Sequence, residues 1–205
     1  MMILVGQLVS PFVRRVAATM SHYGLPFDRH ALSVFDDRDE VARLNPLAKV
    51  PALIIDDGEA LVESAAIIDY LDQLAGPAKS LTPVDGVARW KVLRHAAIAM
   101  GISERAVQLR IEMFRRPEHL QSAEFIDGYK TSIRNSLDVL ERDAVGIWMS
   151  ASGPTQADFS VTAALTHLTN RVDDFSDLQA WPKLSAIREQ GENLDAFRNN
   201  PFIEG

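Results

Sequence analysis

The pattern of apolar and polar positions changes character once along the chain, near residue 80. Before that point short apolar runs alternate with helical stretches. Ile3-Leu4-Val5-Gly6 is a compact apolar run closed by glycine and predicts a buried strand. Ser10-Pro11 follows, a favoured N-cap and a favoured first helical residue. Val13, Val16, Ala17 and Met20 then recur at helical spacing, and Gly24 ends the run. Phe27 to Leu32, introduced by Pro26, predicts a second strand, and Asp36 to Leu44 a polar helix or irregular segment that Asn45-Pro46 breaks. Two further apolar runs, Ala52 to Ile55 and Glu59 to Leu61, flank Asp57-Gly58, the strongest short signal for a hairpin. Ser64 then caps a helix that carries Ile67, Ile68 and Leu71 on one side and stops near Gly76-Pro77. The order is strand, helix, strand, helix, strand, strand, helix. Its first two strands are joined by a parallel crossover and its last two form an antiparallel pair, the order of a thioredoxin-like domain.

Beyond the turn-rich stretch Gly76 to Pro83 the periodicity is helical throughout. Val87 to Phe114 is one long amphipathic stretch that Pro117 stops, and Phe125 to Leu140 is another, with Ile126, Tyr129, Ile133, Leu137 and Leu140 on one stripe. Thr155-Gln156-Ala157-Asp158 precedes an apolar run as an N-cap with an acidic partner three residues on. Pro182 opens a further helix. The expected division is an α/β domain over 1–76, a linker over 77–86 and an all-helical domain over 87–205.

Composition narrows the chemistry. The 205 residues carry a formal charge of -7, which argues against a nucleic-acid binder, since phosphate contacts need a basic face. There is no cysteine, so disulfides, thiolate metal sites and cysteine nucleophiles are excluded. No apolar run approaches the roughly 20 residues of a bilayer span. The opening residues lack a basic stretch and predict a strand rather than a signal peptide, so the expected location is the cytoplasm. The five histidines show no metal-ligand spacing, and no metal is expected.

Three segments of the first domain stand together: Ser10-Pro11-Phe12-Val13-Arg14-Arg15, Asn45-Pro46-Leu47-Ala48-Lys49-Val50-Pro51, and Glu63-Ser64. With the strand order they resemble the glutathione transferase superfamily, and within it the bacterial members that begin Ser-Pro-Phe-Val-Arg. The fold so implied is a thioredoxin-like domain followed by an all-α bundle. Ala48 departs from the glycine common at its position, which leaves less backbone freedom there.

The resemblance implies that Ser10 holds the sulfur of glutathione. A cysteine-type thiol has a pKa of about 8.5, so the anion must be favoured. A drop of two units needs about 2.7 kcal/mol. A hydrogen bond to a charged group supplies roughly 1.5–3 kcal/mol, and a helix N-terminus about 0.3–1 kcal/mol more. The local pattern alone favours a plain helix cap, and it is the resemblance that reverses this. The resemblance further implies that Val50-Pro51 is cis and that the backbone of Val50 pairs with the cysteinyl part of the tripeptide like an added strand. Spacing alone reads it as a turn. Phe12 lies with the glutathione contacts. Lys49 would meet the glycine carboxylate, or be a solvated lysine. Ser64, at a helix N-terminus, would bind the γ-glutamyl carboxylate and Glu63 the ammonium. Arg14 and Arg15 have two readings, electrostatic support for the thiolate or charges that are solvated or paired with acids.

The second substrate would be a small electrophile lying over Ser10, with Val9, Met100 and Glu104 as its lining. The expected reaction is conjugation, which needs thiolate stabilisation and proximity. Glutathione-dependent peroxide reduction or isomerisation is the alternative, and a non-catalytic binding module a third, since fold alone does not fix function. The resemblance also implies a homodimer, with Ile67, Trp90 and Leu93 on its faces. The expected partners are glutathione and an electrophile, with neither nucleic acid nor membrane.

Overall fold

The computed structural model describes residues 1–203. In chain order its elements are β1 (Met2–Val5), α1 (Pro11–Tyr23), β2 (Phe27–His30), α2 (Arg38–Leu44), β3 (Ala52–Ile54), β4 (Ala60–Val62), α3 (Ser64–Ala75), α4 (Gly86–Arg110), α5 (Ala123–Asp143), α6 (Gln156–Arg171), α7 (Pro182–Glu192) and α8 (Asp195–Arg198). They form two compact units. One is Met1–Arg89 together with the segment from Glu192 onward; the other is Trp90–Gly191.

In the first unit the strands lie in the order β2-β1-β3-β4. β1 is parallel to β2, and β3 is antiparallel to β4, as the crossover and hairpin signals predict; β1 is antiparallel to β3. The register pairs Leu4 with Leu53 and Val5 with Ala52. Successive strand residues face opposite ways. Leu4 and Leu53 therefore enter the core built with Val13, Val16, Ala17 and Met20 of α1 and Ile67, Ile68 and Leu71 of α3. Val5 and Ala52 enter a smaller core with Leu32 and Val41 of α2 on the other face. Ile67 is wholly buried in the larger core and is therefore not a residue of a dimer face; the expectation for it is corrected. The Tyr23 hydroxyl donates to Asp72 and accepts from the Leu81 N–H at 2.7 Å, tying the ends of α1 and α3 to the chain that follows. Burial, with Asp72 beside it, pushes the Tyr23 phenol well above its ordinary pKa.

The second unit is helical. α6 is its axis, buried from Gln156 to Leu168. A Cβ on Gly191 would stand 2.0 Å from the Thr162 hydroxyl, so only glycine lets α7 come this close to α6. The long stretch predicted to run unbroken to Phe114 ends differently: α4 passes into a π-helical turn at Ile111–Arg115. Buried Glu112 explains the change. Its carboxylate accepts from the Ser122 N–H at 2.8 Å and from Arg116 Nε at 2.8 Å, pinning the turn to the start of α5. Those hydrogen bonds hold the Glu112 carboxyl below its ordinary pKa. Among the described residues no helix is long and apolar enough to cross a membrane.

Candidate functional site

The site residues of the first unit are gathered at the ends of β1, β3 and β4, beginning with Gly6. Its φ is +124°, and a Cβ there would meet Val13 at 2.6 Å and Val50 at 2.9 Å. Only glycine lets the start of α1 and residue 50 approach from both sides of the strand end. Sequence reading took Gly6 as the end of a strand and nothing more.

Ser10 is the N-cap of α1, with extended backbone (φ -72°, ψ 122°), and Pro11 is the first helical residue. Its hydroxyl oxygen accepts from the Val13 N–H at 3.4 Å. That is longer than the ordinary 2.7–3.2 Å of such bonds. The side chain is half-buried, so the hydroxyl keeps both its proton and most of its acceptor capacity for another partner. Phe12 is half-buried in the same turn.

The second segment is organised by Asn45, which is buried. Its side-chain oxygen accepts from the Leu47 N–H at 3.0 Å and its amide donates to the Lys49 carbonyl at 2.8 Å. The Ala48 N–H returns to the Asn45 carbonyl at 2.8 Å. Asn45 is thus more than a helix breaker; it shapes the loop that presents residues 49–51. An Asx turn is the signal that could have found it. Ala48 holds φ +50°, the left-handed region, where its departure from glycine is felt. Lys49 is exposed, Val50 half-buried and Pro51 buried, and the Val50-Pro51 peptide is cis.

The third segment opens α3. Glu63 stands before it at φ +70° with an exposed side chain that caps nothing. A non-glycine residue held there is a strained feature of the kind that gathers at binding sites. Ser64 is buried, and its hydroxyl accepts from Arg15 Nη2 at 2.8 Å. Glu63 Oε1 lies 3.4 Å from the same hydroxyl. Arg15, on α1, is itself buried. Burial pulls its guanidinium down to about 10, against the opposing pull of Glu63, and it remains a cation at neutral pH.

Arg14 serves another purpose. Its guanidinium grips Glu192 at 2.5 and 2.7 Å, donates through Nε to the Asn200 carbonyl at 2.9 Å, and lies over the Phe197 ring. Of the two readings of this arginine pair, solvation does not hold: both are buried. Arg14 is paired with an acid and secures the segment around α8 to α1, while Arg15 reaches the start of α3.

Val9 is half-buried just ahead of Ser10. Met100 and Glu104 lie on α4 in the second unit, the first buried and the second exposed. No group of three or more His, Asp or Glu side chains that could hold a metal occurs among the described residues.

In the second unit Thr155 and Asp158 form a full capping box. Asp158 accepts from the Thr155 N–H at 2.7 Å, the Thr155 hydroxyl at 2.9 Å and the Met149 N–H at 2.6 Å. Burial nevertheless lifts its carboxyl above the ordinary value, the donors pulling the other way.

Comparison with known proteins gives the same grouping. Residues 4–79 match the family model of the glutathione S-transferase N-terminal domain. A glutathione transferase family member from Pseudomonas fluorescens Pf-5, with bound glutathione, is 32% identical with a TM-score of 0.88, over 98% of both chains. A glutathione S-transferase from Methylobacillus flagellatus KT with glutathione bound is 28% identical with a TM-score of 0.92, over 99% of this chain and 100% of that one. A probable maleylacetoacetate isomerase from Caenorhabditis elegans is 25% identical, the match taking in 89% of this chain and 84% of that protein. With a thioredoxin-like unit, a helical unit and full-length likeness to such proteins, the chain belongs to the glutathione S-transferase superfamily.

Proposed function

We propose that the protein binds glutathione in its first unit and conjugates it, through its sulfur, to a small electrophile. The observation that carries this reading is the half-made cap at Ser10, a half-buried hydroxyl whose bond to its own helix is 3.4 Å long. The tripeptide's thiol loses its proton to solvent, and the thiolate accepts from the Ser10 hydroxyl at the positive end of α1. Val50 pairs through its backbone with the cysteinyl residue, with Phe12 and Pro51 beside it. Lys49 meets the glycine carboxylate, and Ser64 and Glu63 meet the γ-glutamyl end. The sulfur then forms a bond to the electrophilic carbon, and the leaving group departs with its electron pair. With no cysteine in the chain, the reacting sulfur is the substrate's own.

Likeness to a probable maleylacetoacetate isomerase favours a second reading of the same site. In it the thiolate adds to a cis carbon–carbon double bond conjugated to a carbonyl, the new single bond rotates, and elimination returns the trans isomer and free glutathione. Both readings use the same anion. Turnover of the purified protein with glutathione and an activated aryl halide, against a cis-enone acid, separates them. A hydroperoxide in the same series tests reduction. In each, Ser10→Ala is expected to lower kcat on the order of ten- to a hundredfold while glutathione affinity by calorimetry changes little. Unchanged turnover would leave Ser10 a cap only. No glutathione binding at all would leave a shared architecture without this activity.

The exposed Val87, Trp90 and Leu93 of α4 support a homodimer with a second copy of the chain. Light scattering should then give about twice the 22.7 kDa chain mass, and Trp90→Glu should shift it toward one. A single-chain mass for the unaltered protein rules the dimer out. The cytoplasm is the proposed location.

A further inference from the structure

Arg14 lies buried one helical turn after Ser10, and the reaction proposed above does not use it. We propose that Arg14 is a positioning residue for Ser10: held by Glu192 and Asn200, it fixes the first turn of α1, so that the Ser10 hydroxyl faces the sulfur without serving as the helix's own fastening. This rests on the glutathione reading.

A helix start is ordinarily held by its cap. At α1 the cap bond is 3.4 Å long and holds little. One face of the helix rests on the apolar core through Val13, Val16 and Met20. Apolar burial carries no direction of its own. A bidentate arginine–carboxylate pair is set in angle as well as distance. Arg14 makes such a pair with Glu192, at 2.5 and 2.7 Å, and its Nε adds a bond of 2.9 Å to the Asn200 carbonyl. Asn200 grips the helix again near its end: its amide donates to Ser21 Oγ at 2.8 Å, and to its own segment at the Ala196 carbonyl, also at 2.8 Å. The Arg14 N–H donates to the Ser10 carbonyl at 2.9 Å. Four residues span about 6 Å of helix axis and return to nearly the same face. A displacement at Arg14 is therefore passed to Ser10 through a single turn of backbone. Misplacing a reacting group by about 1 Å costs on the order of a hundredfold in rate.

Position and charge are separable here, because Glu192 acts oppositely in the two cases. If the guanidinium served the thiolate by its charge, Glu192 would oppose it by neutralising that charge. Removing the carboxylate would then favour the anion. If Arg14 serves by position, Glu192 is half of the grip, and removing it disfavours the anion. A lysine at residue 14 keeps the charge and loses both the paired geometry and the Nε bond.

The test is made on the full chain with glutathione as the probe. The ionisation of the bound sulfur is followed by its ultraviolet absorbance against pH. Turnover is measured per folded molecule, with the substrate of the series above that the unaltered protein converts. Arg14→Lys and Glu192→Gln should each raise the pKa of the bound thiol by about one unit and lower kcat on the order of tenfold, while glutathione affinity changes little. In a Ser10→Ala background Glu192→Gln should add nothing. Glu192 is partly exposed, so its variant keeps the test open if Arg14→Lys does not fold. Variants that melt earlier but keep the sulfur's ionisation and the turnover of the folded fraction would make the clamp a strut and overturn the proposal. A lowered thiol pKa in Glu192→Gln, with Arg14→Lys unchanged, would overturn it in favour of charge. A further loss in the Ser10→Ala background would show that the clamp does not act through Ser10. An unaltered protein that binds no glutathione by calorimetry would instead remove the glutathione reading, and this proposal with it.

Discussion

The helices α1 and α6 are each capped by a hydroxyl side chain, and they use it in opposite ways. At α6 the Thr155–Asp158 box is saturated: three donors converge on one buried carboxylate at 2.6–2.9 Å. At α1 the Ser10 hydroxyl makes one long bond of 3.4 Å and stays half-buried. The residue chemistry is nearly the same, so the difference lies in completion. A closed set of hydrogen bonds stabilises the fold and has nothing left for a ligand. An open one contributes little to the fold and keeps its capacity for chemistry.

The most forceful way to break this contrast is Asp158→Ala. It strands buried donors at Met149 and Thr155, each costing about 1–3 kcal/mol, so a loss of about 3–5 kcal/mol in denaturant unfolding is expected. The activity per folded molecule should survive. If stability barely moves, the box is not closing the helix start. Ser10→Ala should do the reverse, costing no more than about 0.5 kcal/mol of stability while turnover collapses. A Ser10 variant that melts like a lost structural cap would erase the distinction. The smallest effect concerns acid. Ser10 carries nothing that titrates there, but Asp143 in the second unit is held below its usual pKa by the Arg94 hydrogen bond at 2.7 Å, with Arg142 and His95 adding to it. A depressed carboxyl stabilises above its unfolded value of 3.8 and loses that contribution as pH falls through the folded one. Asp143→Asn should therefore flatten the stability–pH curve below about pH 4 by less than about 1 kcal/mol, as suits a partly exposed pair. A curve that keeps its slope would assign the acid loss elsewhere.

Much of this was legible in the sequence because its signals are local. Asp57-Gly58 marks the β3–β4 hairpin, with Gly58 at φ +88°. Ser10-Pro11 marks the start of α1, and Thr155 with Asp158 that of α6. The cis Val50-Pro51 bond followed from likeness to a family. What stayed hidden joins residues far apart in the chain. Arg14 and Arg15 are neighbours of identical type, and helical periodicity cannot say that one meets Ser64, 49 residues on, and the other Glu192, 178 residues on. Ile67 fits an apolar stripe whether that stripe faces a core or a partner, and only packing shows it inside. The π turn after α4 was equally silent, because Glu112 is set there by the Ser122 backbone and not by any period of its own helix.

The Arg14 clamp sets an order of events during synthesis. Its Asn200 partner lies 186 residues downstream, so on the ribosome α1 emerges long before the groups that neutralise its innermost cation. A nascent first unit that collapsed early would trap that cation unpaired, which is costly. The thioredoxin-like part thus cannot reach its finished packing by the usual N-terminus-first route. It is completed only after the helical unit has been translated and the returning segment has arrived, so that the stretch of chain made first completes its packing with the stretch made last.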